Sequence, residues 1–432
     1  MLEVLMLNHA SIVIKHQVVS LLIDPWFEGS CFEDGWGLKF QNDSAYNIAA
    51  ACTHLWVSHF HTDHFHVPTL KKILALNPNI IVIGNRSYNF KLDDALKSIG
   101  FKNVVSFREK KQFSIAQNFI IERWPTTGID NMLLIKTSEG TLLNYNDCNI
   151  PLRARKIFAK KMGNIDVMFT NFNHASKLID YPPKTHNAVM HQQLTNFKTN
   201  YEAFNPKYII PFASYHYYKA PESEVQNNSL LSLENLLPTN NKILNAPIGS
   251  CIKFLNNFTQ LSITQFTSIT NNTIEITTHK NTYNTEALTK AAMVYLKKLK
   301  TGFLFFINFL PHLDIDVADI NKKFRLNKKG LSILPNNANS HIRTNSESLY
   351  KWFTQQYGTD GFIVGAHFDI TSSEIPLKWQ ILLALLIENR LDAVSILKMC
   401  FKAEGLRFLW NRKTEIISIL FSRKVNTASQ RN

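Results

Sequence analysis

The stretch "THLWVSHFHTDHFH" sets an apolar run directly against four histidines and an aspartate. The chain carries 15 histidines in 432 residues, so four between positions 58 and 66 is a concentration. A histidine cluster can be a solvated loop. The pattern His59-x-His61-x-Asp63-His64 is more ordered than that. Neutral imidazole and carboxylate are the donors that zinc, iron and manganese prefer. Along extended backbone, residues two apart point the same way, so His59 and His61 can grip one ion together. Asp63 and His64 follow as the chain turns and can serve a second ion beside it. The next stretch, "VPTLKKILALNPN", has leucines and isoleucine at helical spacing after a Pro68 start. The loop therefore joins a buried strand to a helix.

A strand, HxHxDH and a helix in that order resemble the metal-binding loop of the metallo-β-lactamase superfamily. The N-terminus agrees. "LNHASIVIKHQVVSLLIDPWF" reads as two strands around a turn at Lys15-His16-Gln17, then Asp24-Pro25-Trp26. It is similar to the opening of the branch that holds ascorbate-phosphate lactonases, N-acyl-phosphatidylethanolamine phospholipases and CMP-sialic acid hydroxylases. The resemblance covers roughly the first 250 residues. It implies an α/β fold for residues 1–254: an αββα sandwich of two facing sheets covered by helices, with the metals at one edge. It also implies that Asp24 orients the histidine loop, as carboxylates behind metal ligands commonly do. On its residues alone, Asp24 reads as a strand-end turn. Trp26 and His9 fall beside it, in contact with the ligands or with substrate.

The pattern along the chain fits. Short strands such as "NMLLIKT", "GTLLNYND" and "YIIPF" alternate with helices such as "LRARKIFAKKM", as an α/β sandwich requires. Residues 255–432 read as a smaller α+β unit of unassigned role. It holds a helix in "EALTKAAMVYLKKL", strands around "LFFIN" and "GFIVGAHFDI", and a helical C-terminus. Its histidines, His279, His312, His341 and His367, are isolated and read as structural.

In the superfamily two ions share an aspartate at the end of a later strand, and Asp147 in "GTLLNYNDCN" has that place. The histidine expected about twenty residues upstream is missing, and Asp130 in "TTGIDNMLLI" stands where it would be. A carboxylate there would shift preference toward harder ions such as Fe(II) or Mn(II). The last ligand belongs to a strand of the type "vvPxH". In "YIIPFASYHYY" the matching residue is Ala213, and His216 lies three further on. His174, in "FTNFNHAS", is another candidate for the pocket. These residues imply one or two divalent transition metal ions: zinc, or iron or manganese.

A bound ion would turn such a site into a metal-dependent hydrolase with Asp63 orienting the attacking water. The substrate classes are a phosphorylated compound, an ester or a lactone. The likeness to the hydroxylases adds a sugar nucleotide or glycan precursor. One alternative is a mononuclear-iron, hydroxylase-like redox component. Those hydroxylases carry a Rieske cluster that needs CxH and CxxH; this sequence has "CTH" at 52–54 and no CxxH, so electrons would come from elsewhere. Another alternative is a degraded site that only binds. There is no GxSxG elbow and no GxxxxGK[ST] loop.

Lysine and arginine outnumber aspartate and glutamate 47 to 33, a net charge of +14, which suits an anionic small-molecule substrate. Nucleic acid is not the partner read from this pattern, and oligomeric state is left open. From Lys378 to Asn432 ten bases face four acids around apolar residues at helical spacing. Such a helix can lie on an anionic membrane surface, but the expectation here is packing on the second core. The odd, scattered cysteines and the absence of a leader pattern at the N-terminus point to the cytoplasm.

Overall fold

The computed structural model describes residues 1–85, 92–107, 112–126, 130–148, 150–175, 185–308, 310–371 and 374–389. The first three strands, Leu2–Asn8, Ser11–His16 and Val19–Ile23, form an antiparallel meander. The sheet then turns parallel through His54–Trp56, Ile81–Asn85 and Val104–Phe107. Parallel neighbours need crossovers, and the helices Val67–Leu76 and Leu92–Ile99 provide them. On the other edge, Ser250–Leu255 pairs with Leu2–Asn8, and Gln260–Gln265 pairs outside it. That makes eight strands.

A second sheet has six strands. Gln112–Ala116, Phe119–Pro125, Asn131–Thr137 and Thr141–Asn146 are antiparallel. Val167–Thr170 and Tyr208–Pro211 then add in parallel, after the helices Leu152–Met162 and His186–Glu202.

Strand side chains alternate between faces, and the alternation decides the layering. Val4, Met6, Ile12, Ile14, Leu21 and Ile23 of the first sheet share one buried cluster with Phe119, Ile121, Leu133 and Ile135 of the second. Leu5, Leu7, Val13, Leu22 and Leu55 point the other way, onto Leu70, Ile73, Leu92 and Leu96 of the crossover helices. Phe158 and Phe197 cover the second sheet. The order is helix, sheet, sheet, helix. Both sheets end their central strands at one edge, where the loops after Trp56, Asn146 and Pro211 gather.

A separate cluster is built on a five-stranded sheet and four helices. The strands are Leu313–Val317, Lys322–Asn327, Gly330–Leu334, Ile342–Thr344 and Asp369–Ile370. The helices are Thr285–Asn308, Ser346–Thr354, Gly358–Val364 and Leu377–Asn389. Two expectations fail here. "LFFIN" is the last part of the helix Thr285–Asn308, because helix propagation from a long preceding stretch outweighs the weak strand preference of Phe and Ile. "GFIVGAHFDI" is a short buried helix followed by a two-residue strand. A brief apolar run reads alike for a buried strand and a buried helix, and Phe362 stacks on Trp352 at 4.5 Å in the helical form.

The expected packing of the C-terminal helix holds for its described part. Trp379, Leu382, Leu383 and Leu386 are buried in the second cluster, and Trp379 Nε1 donates to the Pro311 carbonyl at 2.9 Å. The rest of that basic run, from residue 390, lies outside the described residues. No described helix is long and apolar enough to cross a membrane.

Glu347 gives this part of the chain a pH dependence. Burial works against its charge, but the Asn281 and Lys280 backbone N–H groups and the Lys351 ammonium outweigh burial and bring its pKa down to about 2. A carboxyl depressed in the folded state adds stability above its ordinary value and loses it as pH falls. Unfolding curves for Glu347→Gln should therefore match the unaltered chain near pH 2. They should show lower stability for the variant above pH of about 5. Equal stability at both pH values would contradict this.

Candidate metal centre

Asp24 ends the third strand in left-handed backbone, with φ 43, and is fully buried. Four donors converge on its carboxylate. Ser58 N–H reaches Oδ1 at 2.7 Å. Ser58 Oγ, His64 Nδ1 and Asn146 Nδ2 reach Oδ2 at 2.7, 2.9 and 3.2 Å. A carboxylate only accepts, so His64 carries its proton on Nδ1 and presents Nε2 inward. Ser58 uses its hydroxyl hydrogen to donate to Asp24. Its oxygen then accepts from His59 Nδ1 at 2.9 Å, so His59 also presents Nε2 inward. Asn85 and Asn131 hold the Ser58 carbonyl at 2.8 and 2.7 Å.

Asp63 Oδ2 lies 3.1 Å from His64 Nε2 and 3.2 Å from His9 Nε2. His59 Nε2 lies 2.8 Å from His61 Nδ1, 3.5 Å from Asp130 Oδ1 and 3.9 Å from Asp147 Oδ2. Asp147 Oδ2 is also 3.4 Å from His64 Nε2, so this carboxylate stands between two donor groups. One group is His59, His61 and Asp147; the other is His9, Asp63 and His64. In each, the donor atoms lie within 4.8 Å of one another.

The charges match these positions. Burial, with His64 nearby, holds the His59 imidazole well below the usual histidine range despite Asp147. Burial also acts on His64, but Asp63, Asp147 and Asp24 outweigh it and hold its pKa well above that range. Burial raises Asp63, but His64 and His9 outweigh it and keep the carboxyl ionised. Three carboxylates thus favour a positive charge at His64 Nε2, which either a proton there or, with that proton displaced, a metal ion can supply. Buried polar atoms ordinarily have partners. Here Nδ1 of His9, Oδ1 of Asp63, Oδ1 of Asp147 and both ring nitrogens of His216 have no hydrogen bond among the described residues. Imidazole and carboxylate donors left this way fit a transition metal ion.

His216 stacks on Trp36 at 3.8 Å and 12°, with its ring 5.4 Å from that of His9. It borders the second group without belonging to it. Ala213, at φ 49, donates its N–H to the His9 carbonyl at 2.9 Å. Trp26 meets His9 edge-on at 5.3 Å. His174 Nε2 lies 3.4 Å from Asn196 Nδ2, and this histidine is in neither donor group. His66 caps the helix Val67–Leu76 through Thr69 N–H. Sequence reading missed Ser58, Asn85, Asn131, Asn146 and Trp36. The one signal they carried was position: Ser58 precedes the histidine loop, and Asn146 precedes Asp147.

The chain is similar to several solved structures. One is a metallo-β-lactamase fold protein from Bacillus subtilis, with TM-score 0.35, 12% identity, and 49% of this chain and 85% of that one covered. A second is a metallo hydrolase from Ignicoccus hospitalis, with TM-score 0.41, 13% identity, and 59% and 99% covered. A third is CmlA, a diiron β-hydroxylase from Streptomyces venezuelae, with TM-score 0.36, 18% identity, and 55% and 50% covered. In sequence this chain is similar to the inactive cytidine monophosphate-N-acetylneuraminic acid hydroxylase of Homo sapiens, at 24% identity over 260 residues. The cytidine monophosphate-N-acetylneuraminic acid hydroxylase of Pan troglodytes matches at 24% identity over 260 residues. These matches take in 56% of this chain and 52% and 44% of the relatives, so the chain spans about half their length. No family model matches.

Proposed function

We propose that this chain is a metal-dependent hydrolase of an anionic small molecule. One or two divalent transition metal ions would be held by His59, His61 and Asp147 on one side and by Asp63, His64 and His9 on the other. The observation that carries this reading is Asp147 Oδ2, 3.4 Å from His64 Nε2 and 3.9 Å from His59 Nε2, between two sets of inward-facing imidazoles. A divalent ion in such a place polarises a substrate oxygen and lowers the pKa of the adjacent water. The protein supplies the rest. Asp24 and Ser58 fix the tautomers of His64 and His59. Asp63 accepts a hydrogen bond from the attacking water and orients it. Trp26 and the Trp36–His216 stack exclude bulk water from one side. The surplus of 14 positive charges favours a phosphorylated substrate, including a sugar nucleotide, over a neutral ester or lactone.

A second reading is favoured by Asp130, whose Oδ1 lies 3.5 Å from His59 Nε2. A further carboxylate suits iron or manganese, and the sequence relatives are named hydroxylases. On this reading Asp130→His moves the ion preference of the site toward zinc over manganese, read by competition of the two ions for metal-free protein. An unchanged preference would remove Asp130 from the ligand set.

The two readings separate in one experiment. Metal-free protein is loaded with Zn(II), Mn(II) or Fe(II), then assayed for hydrolysis of bis(p-nitrophenyl) phosphate and for oxygen uptake with ascorbate. The hydrolase reading expects phosphodiester cleavage in the zinc or manganese form and no uptake above the blank. Iron-dependent oxygen uptake without hydrolysis would replace it with the second.

A further inference from the structure

The loop from Cys31 to Trp36 joins the candidate centre to the second core. Phe32, Glu33 and Asp34 have φ of 53, 55 and 66, three successive non-glycine residues in left-handed backbone. Side-chain-bearing residues are strained there, so the surroundings must hold the loop in this course. On one side it is tied to the histidine loop. Cys31 Sγ donates to the Thr62 carbonyl at 3.0 Å, Phe32 N–H donates to Thr62 Oγ1 at 3.0 Å, and the Phe32 ring meets His61 edge-on at 5.9 Å. At its end, Trp36 stacks on His216.

On the other side the loop meets the helix Gly358–Val364 and the turn after it. His367 Nε2 donates to the Phe32 carbonyl at 3.0 Å. Ser348 Oγ lies 3.3 Å from His367 Nδ1, and the His367 carbonyl accepts from Thr344 Oγ1 at 2.7 Å. The backbones touch. A Cβ on Gly35 would fall 2.5 Å from Gly365 Cα, and one on Gly365 would fall 2.6 Å from the Phe32 carbonyl oxygen. Neither contact leaves room for a side chain. Ser223 Oγ also donates to the Ala366 carbonyl, which ties the same turn to the first part of the chain.

We propose that residues 361–367 are a positioning clamp: they hold the Cys31–Trp36 loop in its left-handed course and so set the wall that Phe32 and Trp36 present to the metal-ligand groups. The functional consequence, a wall that selects substrate shape, rests on the hydrolase reading above. The mechanical claim does not. His367 is a positioning residue, acting through Phe32 and Trp36.

The test uses the full chain with Gly365→Ala, His367→Ala and His367→Gln. Each is paired with a Trp36→Phe counterpart, so that the difference spectrum isolates Trp36. Gly365→Ala and His367→Ala should red-shift Trp36 emission and raise its acrylamide quenching about twofold, as local opening admits solvent to the ring. His367→Gln keeps an N–H donor for the Phe32 carbonyl and should restore most of the signal. Zinc content after loading should stay at the level of the unaltered chain. An unchanged Trp36 signal in His367→Ala, or a glutamine variant no better than alanine, would overturn the clamp. The His367 pair decides the matter if Gly365→Ala does not fold. Failure of the metal reading would instead appear as an unaltered chain that takes up no zinc, with the Trp36 differences intact.

Discussion

Replacing both His59 and His61 with alanine should remove at least one metal ion per chain and leave the two facing sheets folded. The two side chains share one donor group with Asp147, and their ring nitrogens lie 2.8 Å apart. Losing two of three donors leaves a single carboxylate, and transition metal sites need several ligands in fixed geometry. Neither histidine belongs to the hydrophobic clusters that join the sheets to each other or to their helices. Far-ultraviolet circular dichroism should therefore be unchanged while elemental analysis falls. Full metal content in the double variant would contradict the ligand assignment.

Asp24→Ala is the most damaging single substitution expected. It leaves the Ser58 N–H and hydroxyl, His64 Nδ1 and Asn146 Nδ2 without their acceptor in a fully buried place. Breaking such a buried charged network costs about 3–5 kcal/mol. Urea unfolding of metal-free protein should show that loss. Asp24→Asn keeps the volume but offers an amide where His64 Nδ1 needs an acceptor. It should fold better and still bind metal about 10–100-fold more weakly, because the ligand's orienting partner is gone. If Asp24→Ala were as stable as the unaltered chain, the network would not be what holds the histidine loop.

The parts that sequence made legible are those with short, local patterns. His59, His61, Asp63 and His64 lie within six residues, where strand periodicity alone says which side chains can meet. Alternating apolar residues likewise announce the strands of both sheets. Asp24 is different. It contacts residues 34, 40 and 122 positions away, and without the family resemblance nothing in "LLIDPWF" separates it from a turn residue. Asn146 and Trp36 were invisible for the same reason. The first matters because its amide reaches both Asp24 and Ser58, the second because it lies flat on His216. Such contacts depend on register between distant strands. His174 shows the converse: it follows a central strand, as a ligand would, yet its ring is beside Asn196 on the helix His186–Glu202. In the second core, a run of bulky apolar residues did not distinguish strand from helix, and tertiary packing decided.

The most direct test is metal-to-protein stoichiometry of the purified chain, measured by elemental analysis after reconstitution with zinc, manganese and Fe(II) in turn. One or two ions per chain are expected, with one lost in the His59→Ala, His61→Ala protein and affinity weakened in Asp24→Asn. A chain that retains no transition metal under any of the three conditions would contradict this.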